Sequence, residues 1–381
     1  MKLPPLFLYL ALLAGGAISL DAAAAEPRQI TCYPTYGYQE RDYWLIPMRV
    51  WVHDRRSTLD EWVTTAIGRL GHWNGREQAL FRARIQAFLA DSESREGVTI
   101  RFDADPERRV YRIQDDHGRT PTSDLNGVIE GTIRMTAAAA QGLLKVQQAR
   151  RGWLSYRALV APVVGTGRVQ LISPAGLSVI SDIDDTLKIT QVPAGRQVAV
   201  ENTFFREFRA APGMAALYRD LAARGAVFHY VSGGPWQLYG PLSDFLFSAA
   251  AGFPEGSFHM KDLWLSPLSL KTWVGLTRLV GDENATYRQK VVQIGTLLRR
   301  FPRRRFILVG DSGEKDPEVY RAVRQRFPGQ VQEIRIRDVT NARVKNPDRL
   351  AGLTIIAAET VPAPRRADLG SAAEATATTW P

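Results

Sequence analysis

Three carboxylates fall within four residues in SDIDDTLKIT, where Asp182, Asp184 and Asp185 are followed at once by Thr186. Carboxylates packed this tightly repel one another, and a divalent cation offsets that repulsion. A carboxylate in such a group can also attack phosphorus while a neighbour carries the proton. An ordinary acidic turn at a strand end accounts for one Asp far better than for three with a Thr behind them. A second concentration lies in FILVGDSGEKDPEVY, residues 306–320, and it reads in two incompatible ways. Gly-Asp-Ser-Gly is a setting for a trypsin-like nucleophile, which would be Ser312. An apolar strand ending in Asp311, with Glu314 and Asp316 after it, is instead one wall of a magnesium site.

Two further segments carry groups suited to a phosphoryl centre. AVFHYV runs into SGGPW, placing the Ser232 hydroxyl beside the open backbone of Gly233 and Gly234, whose N–H groups can cradle phosphate oxygens. Lys290 opens KVVQIGTLLRRF, which leads to the strand FILVG, and a cation there would neutralise charge in phosphoryl transfer. Arg288 and Lys271 are close enough in sequence to compete for that role. Taken singly these signals are weak, since Ser-Gly-Gly-Pro is a common loop and a lone lysine is usually solvated. The protease reading needs a His and an Asp completing a triad on a two-barrel β fold. His53, His72, His117, His229 and His259 stand in no such context, and they lack zinc-ligand spacing.

The elements that must position these groups follow from the periodicity. Beyond Ser173, apolar strands at 177–181, 226–231 and 306–310 alternate with helical stretches near 212–224, 237–251, 289–300 and 317–327. Such alternation implies a parallel sheet covered on both faces, with chemistry in the loops beyond the strands' carboxyl ends. Before it, YWLIPMRVWV (43–52), VTIRF (98–102), RVYRI (109–113), GVIEGTIRM (127–135), WLSYRALV (153–160) and GRVQLI (167–172) read as strands separated by turn residues. Helical spacing at 58–70 and 76–91 interrupts them. The expected organisation is a β-rich, sandwich-like domain over 26–172 with a helical insertion after its first strand, then an α/β domain over 173–358, then a disordered tail over 359–381 rich in Ala, Thr and Pro.

The chain has 381 residues, enough for two or three domains. Residues 1–25 show Lys2, an apolar run from Leu6 to Leu20 and small residues up to Ala25, the layout of a secretory signal peptide. The run falls short of the ~20 apolar residues of a membrane span. Export to the periplasm or the medium is therefore expected. Removing the segment takes away Lys2 and Asp21 and leaves the net charge at +10, which favours anionic partners such as phosphate esters, acidic lipid surfaces or nucleic acid over acidic proteins. No nucleic-acid-binding motif accompanies the charge. Cys32 is the sole cysteine, so no intrachain disulfide forms.

The order Asp-rich strand end, Ser strand end, Lys, Asp-rich strand end resembles the four-motif arrangement of the haloacid dehalogenase superfamily, whose fold is a Rossmann-like parallel sheet. More narrowly, residues 178–340 resemble the catalytic domain of the actin-patch-associated, magnesium-dependent phosphatidate phosphatase family. The resemblance rests on ISDIDDTLKIT, on VSGGPWQLYGPLSDFL followed by GFPEGSFHMKDL, and on KVVQIGTLLRRFPRRRFILVGDSGEKDPEVY with IRIRDVT after it. It implies Asp182 as the nucleophile that becomes an aspartyl-phosphate and Asp184 as general acid and base. It implies Thr186, Ser232, Gly233 and Lys290 around the phosphoryl oxygens. Mg2+ would be held by the Asp182 carboxylate, the Asp184 backbone carbonyl and Asp311, with Asp316 in or just behind that shell, while Asp185 supports the turn.

The implied substrate is phosphatidate, with a soluble phosphomonoester as the rival and an inactive lipid- or anion-binding module as a third reading. Two segments bear on lipid contact. Trp264, Leu265, Leu268, Leu270, Trp273 and Leu276 would suit either a lid or a packed strand and helix. RRFPRRRF, residues 299–306, would suit either an anionic membrane surface or a solvated helix end.

Overall fold

The computed structural model describes residues 28–54, 73–263 and 283–358. The expected signal peptide, the 58–70 helix, Lys271, the apolar stretch beginning at Trp264 and the C-terminal tail lie outside the described residues.

The first half is built from β1 (Arg28–Cys32), β2 (Thr35–Glu40), β3 (Tyr43–Asp54), β4 (Asp91–Ser92), β5 (Thr99–Phe102), β6 (Tyr111–Arg112), β7 (Val128–Thr136), β8 (Trp153–Val160) and β9 (Val163–Leu171). Strict alternation along β3 buries Ile46, Met48, Val50 and Val52 on one face. They pack with Ile129, Ile133, Leu154, Tyr156 and the small helix α2 (Ala137–Val146). Where separate sandwich layers were expected, all nine strands join one sheet, because β2 pairs antiparallel with β3 and parallel with β9. The sheet folds over on itself, and Gly167 of β9 lets β1 close on it. A Cβ there would stand 2.3 Å from the Tyr156 ring and 2.7 Å from Cys32 Cβ.

Helix α1 (Gly75–Leu89) starts at an Asn74 capping box with Glu77, which satisfies two end N–H groups reciprocally. Its apolar face, Phe81, Ile85, Phe88 and Leu89, leaves the β-rich half and enters the core of the second half. There Phe81 stacks on Phe205 at 4.8 Å between ring centroids, and Arg84 donates to the carbonyls of Thr203 and Arg206. The insertion thus braces α3 (Arg196–Phe204), a wall of the site described below.

The second half is a six-stranded, wholly parallel sheet. Its strands are β10 (Ala175–Ser181), β11 (Val227–Pro235), β12 (Gly256–Lys261), β13 (Arg303–Asp311), β14 (Val331–Asp338) and β15 (Thr354–Ala357), in spatial order β12-β11-β10-β13-β14-β15. Helices α4 (Met214–Ala223), α5 (Tyr239–Leu246), α6 (Glu283–Arg300) and α7 (Asp316–Arg326) cross between strands. β10 lies between β11 and β13, with Ser181 level with Tyr230 and Val309. Three neighbouring strands therefore deliver Asp182, Ser232 and Asp311 to one rim.

The basic run RRFPRRRF lies at the other rim, where β13 begins. Arg304 is 3% exposed and stitches β13 to β10, donating to Ser178 Oγ at 2.8 Å and to the carbonyls of Ser173 and Ala175 at 2.8 and 2.6 Å. Arg300 bonds the Tyr36 hydroxyl, and Arg305 bonds the Gly329 carbonyl. Arg304 is thus structural, while Arg299, Arg303 and Arg305 of the run are exposed.

Tyr36 of β2 is the seam between the halves. It sits 2% exposed in a cluster with Ile180, Val231, Phe301 and Phe306, edge-on to His229 at 5.5 Å. Tyr36→Ala is expected to lower stability by about 3–5 kcal/mol, the usual cost of deleting a buried aromatic, measured by urea unfolding. On β3, His53 is buried in a stack with Trp51, and desolvation depresses its pKa to about 4. A folded value below the unfolded ~6.5 means protonation favours unfolding, so this contribution is intact above pH ~6.5 and is lost as pH falls toward 4. Relative to His53→Gln, the native protein should lose up to ~1.4 kcal/mol per pH unit across that window in denaturant titrations at stepped pH.

Candidate active site

Asp182 is the first residue past β10, and its N–H still bonds the Val309 carbonyl at 2.9 Å. The chain then turns sharply, with the N–H groups of Leu187 and Lys188 returning to the Ile183 carbonyl and that of Asp185 to the Lys188 carbonyl. Asp185 adopts φ +56°, a conformation Asp tolerates, and its carboxylate accepts from the N–H groups of Thr190, Gln191 and Val192 at 2.6–2.9 Å. It therefore supports the turn, as the sequence implied.

Lys290 of α6 reaches across the rim and is 1% exposed. Its ammonium lies 2.8 Å from Asp182 Oδ1, 2.7 Å from Asp316 Oδ1 and 3.3 Å from Glu314 Oε2. Burial opposes its charge, but these three carboxylates outweigh burial and hold it well above the ordinary lysine value. Burial pushes the carboxyls of Asp182 and Asp311 well up; Lys290 opposes this at Asp182, while the crowding of Asp316 and its acidic neighbours adds to it at both. Glu314 moves up for the same first reason.

One oxygen from each of Asp182, Asp311 and Glu314 lies within 4.8 Å of the others, the spacing of ligands around a common ion. Asp182 Oδ2 and Asp311 Oδ2 are buried without a hydrogen-bond partner. Two orphaned carboxylate oxygens beside a third carboxylate fit a hard, oxygen-seeking divalent cation. The residue sets differ here from the sequence expectation. Asp316 is not in this group, because its Oδ1 bonds Lys290 and its Oδ2 accepts from the Asp311 N–H at 3.3 Å. That leaves it just behind the shell, one of the two places the resemblance allowed, and Glu314 stands with Asp182 and Asp311 instead. Glu314 was visible in the acidic run after Asp311, but nothing in the spacing separated it from Asp316.

The side chain of Asp184 also stands apart from the three. Its Oδ1 accepts from Lys188 Nζ at 2.7 Å and Thr190 Oγ1 at 2.6 Å, and these contacts outweigh burial to hold it below the ordinary carboxylate value. Lys188 and Thr190 were not singled out from the sequence, although both belong to the SDIDDTLKIT run. Thr186 is fully buried with its hydroxyl unpartnered. Ser232 Oγ accepts from the Gly234 N–H at 2.9 Å, shaping the SGGPW turn, and Gly233 abuts Thr286 of α6. Ser312 turns away, bonding Asp338 Oδ1 at 2.9 Å and Thr340 Oγ1 at 2.8 Å. No described histidine contacts it, which disposes of the protease reading.

A cleft opens from this rim, lined by Asp184, Glu283 and Glu314, by Val192, Val200, Phe204, Pro235 and Leu238, and by Thr190, Thr203 and Thr286. The fold and site together define an α/β domain whose parallel sheet carries a carboxylate-and-lysine centre at its carboxyl rim. Residues 177–338 match the family model described as phosphatidate phosphatase APP1, catalytic domain.

Phosphatidate phosphatase APP1 of Saccharomyces cerevisiae is 27% identical over 298 residues, 76% of this chain and 46% of that protein. An uncharacterized protein of Schizosaccharomyces pombe is 30% identical over 173 residues, 45% of this chain and 26% of that one. The chain thus spans less than half the length of either relative. Among solved structures, a phospho-aspartyl intermediate analogue of phosphoserine phosphatase overlaps 48% of this chain and 93% of its own at 13% identity and a TM-score of 0.29.

Gly310 explains how Asp316 comes so close to β13. A Cβ at Gly310 would lie 2.2 Å from Asp316 Oδ2. Gly310→Ala is expected to destabilise the fold by about 1–3 kcal/mol through overpacking and to displace Asp316 from Lys290, read as a lowered thermal midpoint together with weakened divalent-ion stabilisation.

Proposed function

We propose that the chain is a magnesium-dependent phosphatase of haloacid-dehalogenase type that hydrolyses phosphatidate to diacylglycerol and phosphate. The observation that carries this reading is Asp182 itself. It is a buried carboxylate with one oxygen fixed by Lys290 and the other unpartnered, beside Asp311 and Glu314 at the carboxyl rim of a parallel sheet. When bound at Asp182, Asp311 and Glu314, Mg2+ would neutralise negative charge on the phosphoryl group and among the carboxylates.

Asp182 attacks phosphorus, the bond from phosphorus to the ester oxygen breaks, and Asp184, a carboxylate at rest that must first take up a proton from solvent, gives that proton to the departing alkoxide. Water then attacks the aspartyl-phosphate, Asp184 takes its proton, and the bond from phosphorus to Asp182 breaks. Lys290 holds Asp182 in line for attack, and the Thr186 hydroxyl with the Ser232–Gly234 turn supplies donors for the phosphoryl oxygens.

A soluble ester is the second reading. The cleft beside Asp184 supports the lipid reading, because Val192, Val200, Phe204, Pro235 and Leu238 line it and its charged members are acidic. That lining suits a neutral, apolar alcohol and repels an anionic leaving group. A purely binding role would leave Asp182 and Asp184 without purpose. The layout of residues 1–25 supports export, with a periplasmic or secreted site of action; contact with an anionic membrane remains part of the proposal.

The test is phosphate release from phosphatidate in detergent micelles with Mg2+, with EDTA and with Asp182→Asn. Release should require the metal and fall more than about a thousandfold in the variant. Hydrolysis of glycerol phosphate or a nucleotide in preference to phosphatidate would move the assignment to a soluble ester, and turnover that survives Asp182→Asn would remove the mechanism.

A further inference from the structure

Lys188 is a buried cation that the reaction as drawn does not use. It is 1% exposed, among the largest fully buried side chains of the protein. Its backbone closes the turn that carries Asp184: its N–H bonds the Ile183 carbonyl and its carbonyl accepts from Asp185. Its ammonium lies 2.7 Å from Asp184 Oδ1 and 2.6 Å from Thr190 Oγ1, with the Phe208 ring 4.8 Å away. Thr190 Oγ1 in turn stands 2.6 Å from Asp184 Oδ1, so lysine, hydroxyl and carboxylate form a closed triangle.

A methionine or leucine would fill this volume without the cost of stripping water from an ammonium, and buried ion pairs as a rule add little net stability over such replacements. The placement of the charge is more informative. Asp182, Asp184, Asp311, Glu314 and Asp316 crowd the rim, and two buried lysines hold four of these five. Lys290 binds Asp182, Glu314 and Asp316, whereas Lys188 binds Asp184 alone. That division keeps the Asp184 carboxylate out of the group formed by Asp182, Asp311 and Glu314 and at the wall of the cleft.

We propose that Lys188, with Thr190, is a positioning residue that fixes the Asp184 carboxylate at the cleft, where the leaving oxygen of the substrate departs. The inference rests on the phosphatase reading and on proton delivery by Asp184. In the first step the bond from phosphorus to the ester oxygen breaks and the proton on Asp184 passes to that oxygen. A misplaced Asp184 therefore slows esters whose alkoxide needs the proton, and spares esters whose leaving group departs as a stable anion.

The experiment compares kcat for phosphatidate in micelles with kcat for p-nitrophenyl phosphate, using the full chain, Lys188→Met, Thr190→Val and Asp184→Asn, each with its thermal midpoint. Lys188→Met is expected to lose at least tenfold more on phosphatidate than on p-nitrophenyl phosphate, with Thr190→Val smaller in the same direction. Thr190→Val carries the test if Lys188→Met does not fold. Equal losses on both substrates, or none, overturn the inference while Asp184→Asn retains its own differential. An Asp184→Asn protein without a differential, or a native protein inactive on both esters, overturns the underlying reading and the inference with it.

Discussion

The site depends on a single buried ammonium. Asp182, Glu314 and Asp316 converge within hydrogen-bonding distance of Lys290 Nζ, at a rim where water is excluded from most of them. Without that charge, ionised carboxylates at this separation would repel with little screening and would take up protons or move apart. Other features serve to bring Lys290 there. Helix α6 spans from the rim to the far end of the sheet, with Ile294, Leu297 and Leu298 buried against it so that Lys290 is directed inward. Gly310 omits the side chain that would push Asp316 away, and α7 begins at Asp316, so one residue serves both as helix start and as partner to the lysine.

Support for the centre extends well beyond the parallel sheet. Helix α1 emerges from the β-rich half, yet its phenylalanines pack on Phe204 and Phe205 of the segment that walls the cleft. On the other side, Tyr33 of the first half packs against Trp236, the last residue of SGGPW, with ring centroids 4.5 Å apart. The loops at the rim are thus held from two directions by residues distant in sequence, which suits a centre whose groups must keep their spacing while charge develops.

Much of the site could be read from the chain because parallel sheets gather functional groups at strand ends, and strand ends are visible as apolar runs that stop at Asp or Ser. Asp182, Ser232 and Asp311 were legible for that reason, whereas position in the sequence did not separate Lys290 from Arg288 and Lys271. The choice between Glu314 and Asp316 was not legible: two acids a short turn apart are distinguished only by where α7 begins and by the space left over Gly310. The apolar spacing of α1 showed that one face is buried but not which half buries it, since periodicity carries no information about the partner. RQITC and TYGYQE were missed as strands because they are short and rich in polar residues, and their pairing with β3 and β9 is set by tertiary contacts. Within RRFPRRRF the burial of Arg304 was not legible, because no local pattern reveals that a guanidinium will be consumed by carbonyls of a neighbouring strand.

The seam at Tyr36 bears on how the protein can be damaged and how it can change over evolutionary time. Its ring belongs to the same packing as Ile180, Val231 and Phe306, so the back of the catalytic sheet is finished by a strand from the other half. Proteolysis that released the first strands would uncover that apolar row, and the remnant would be a sticky surface seeking another chain rather than a slower version of the whole. The two halves are therefore a unit of inheritance and of turnover: neither can be exchanged for a foreign counterpart unless the replacement brings its own aromatic to the same place.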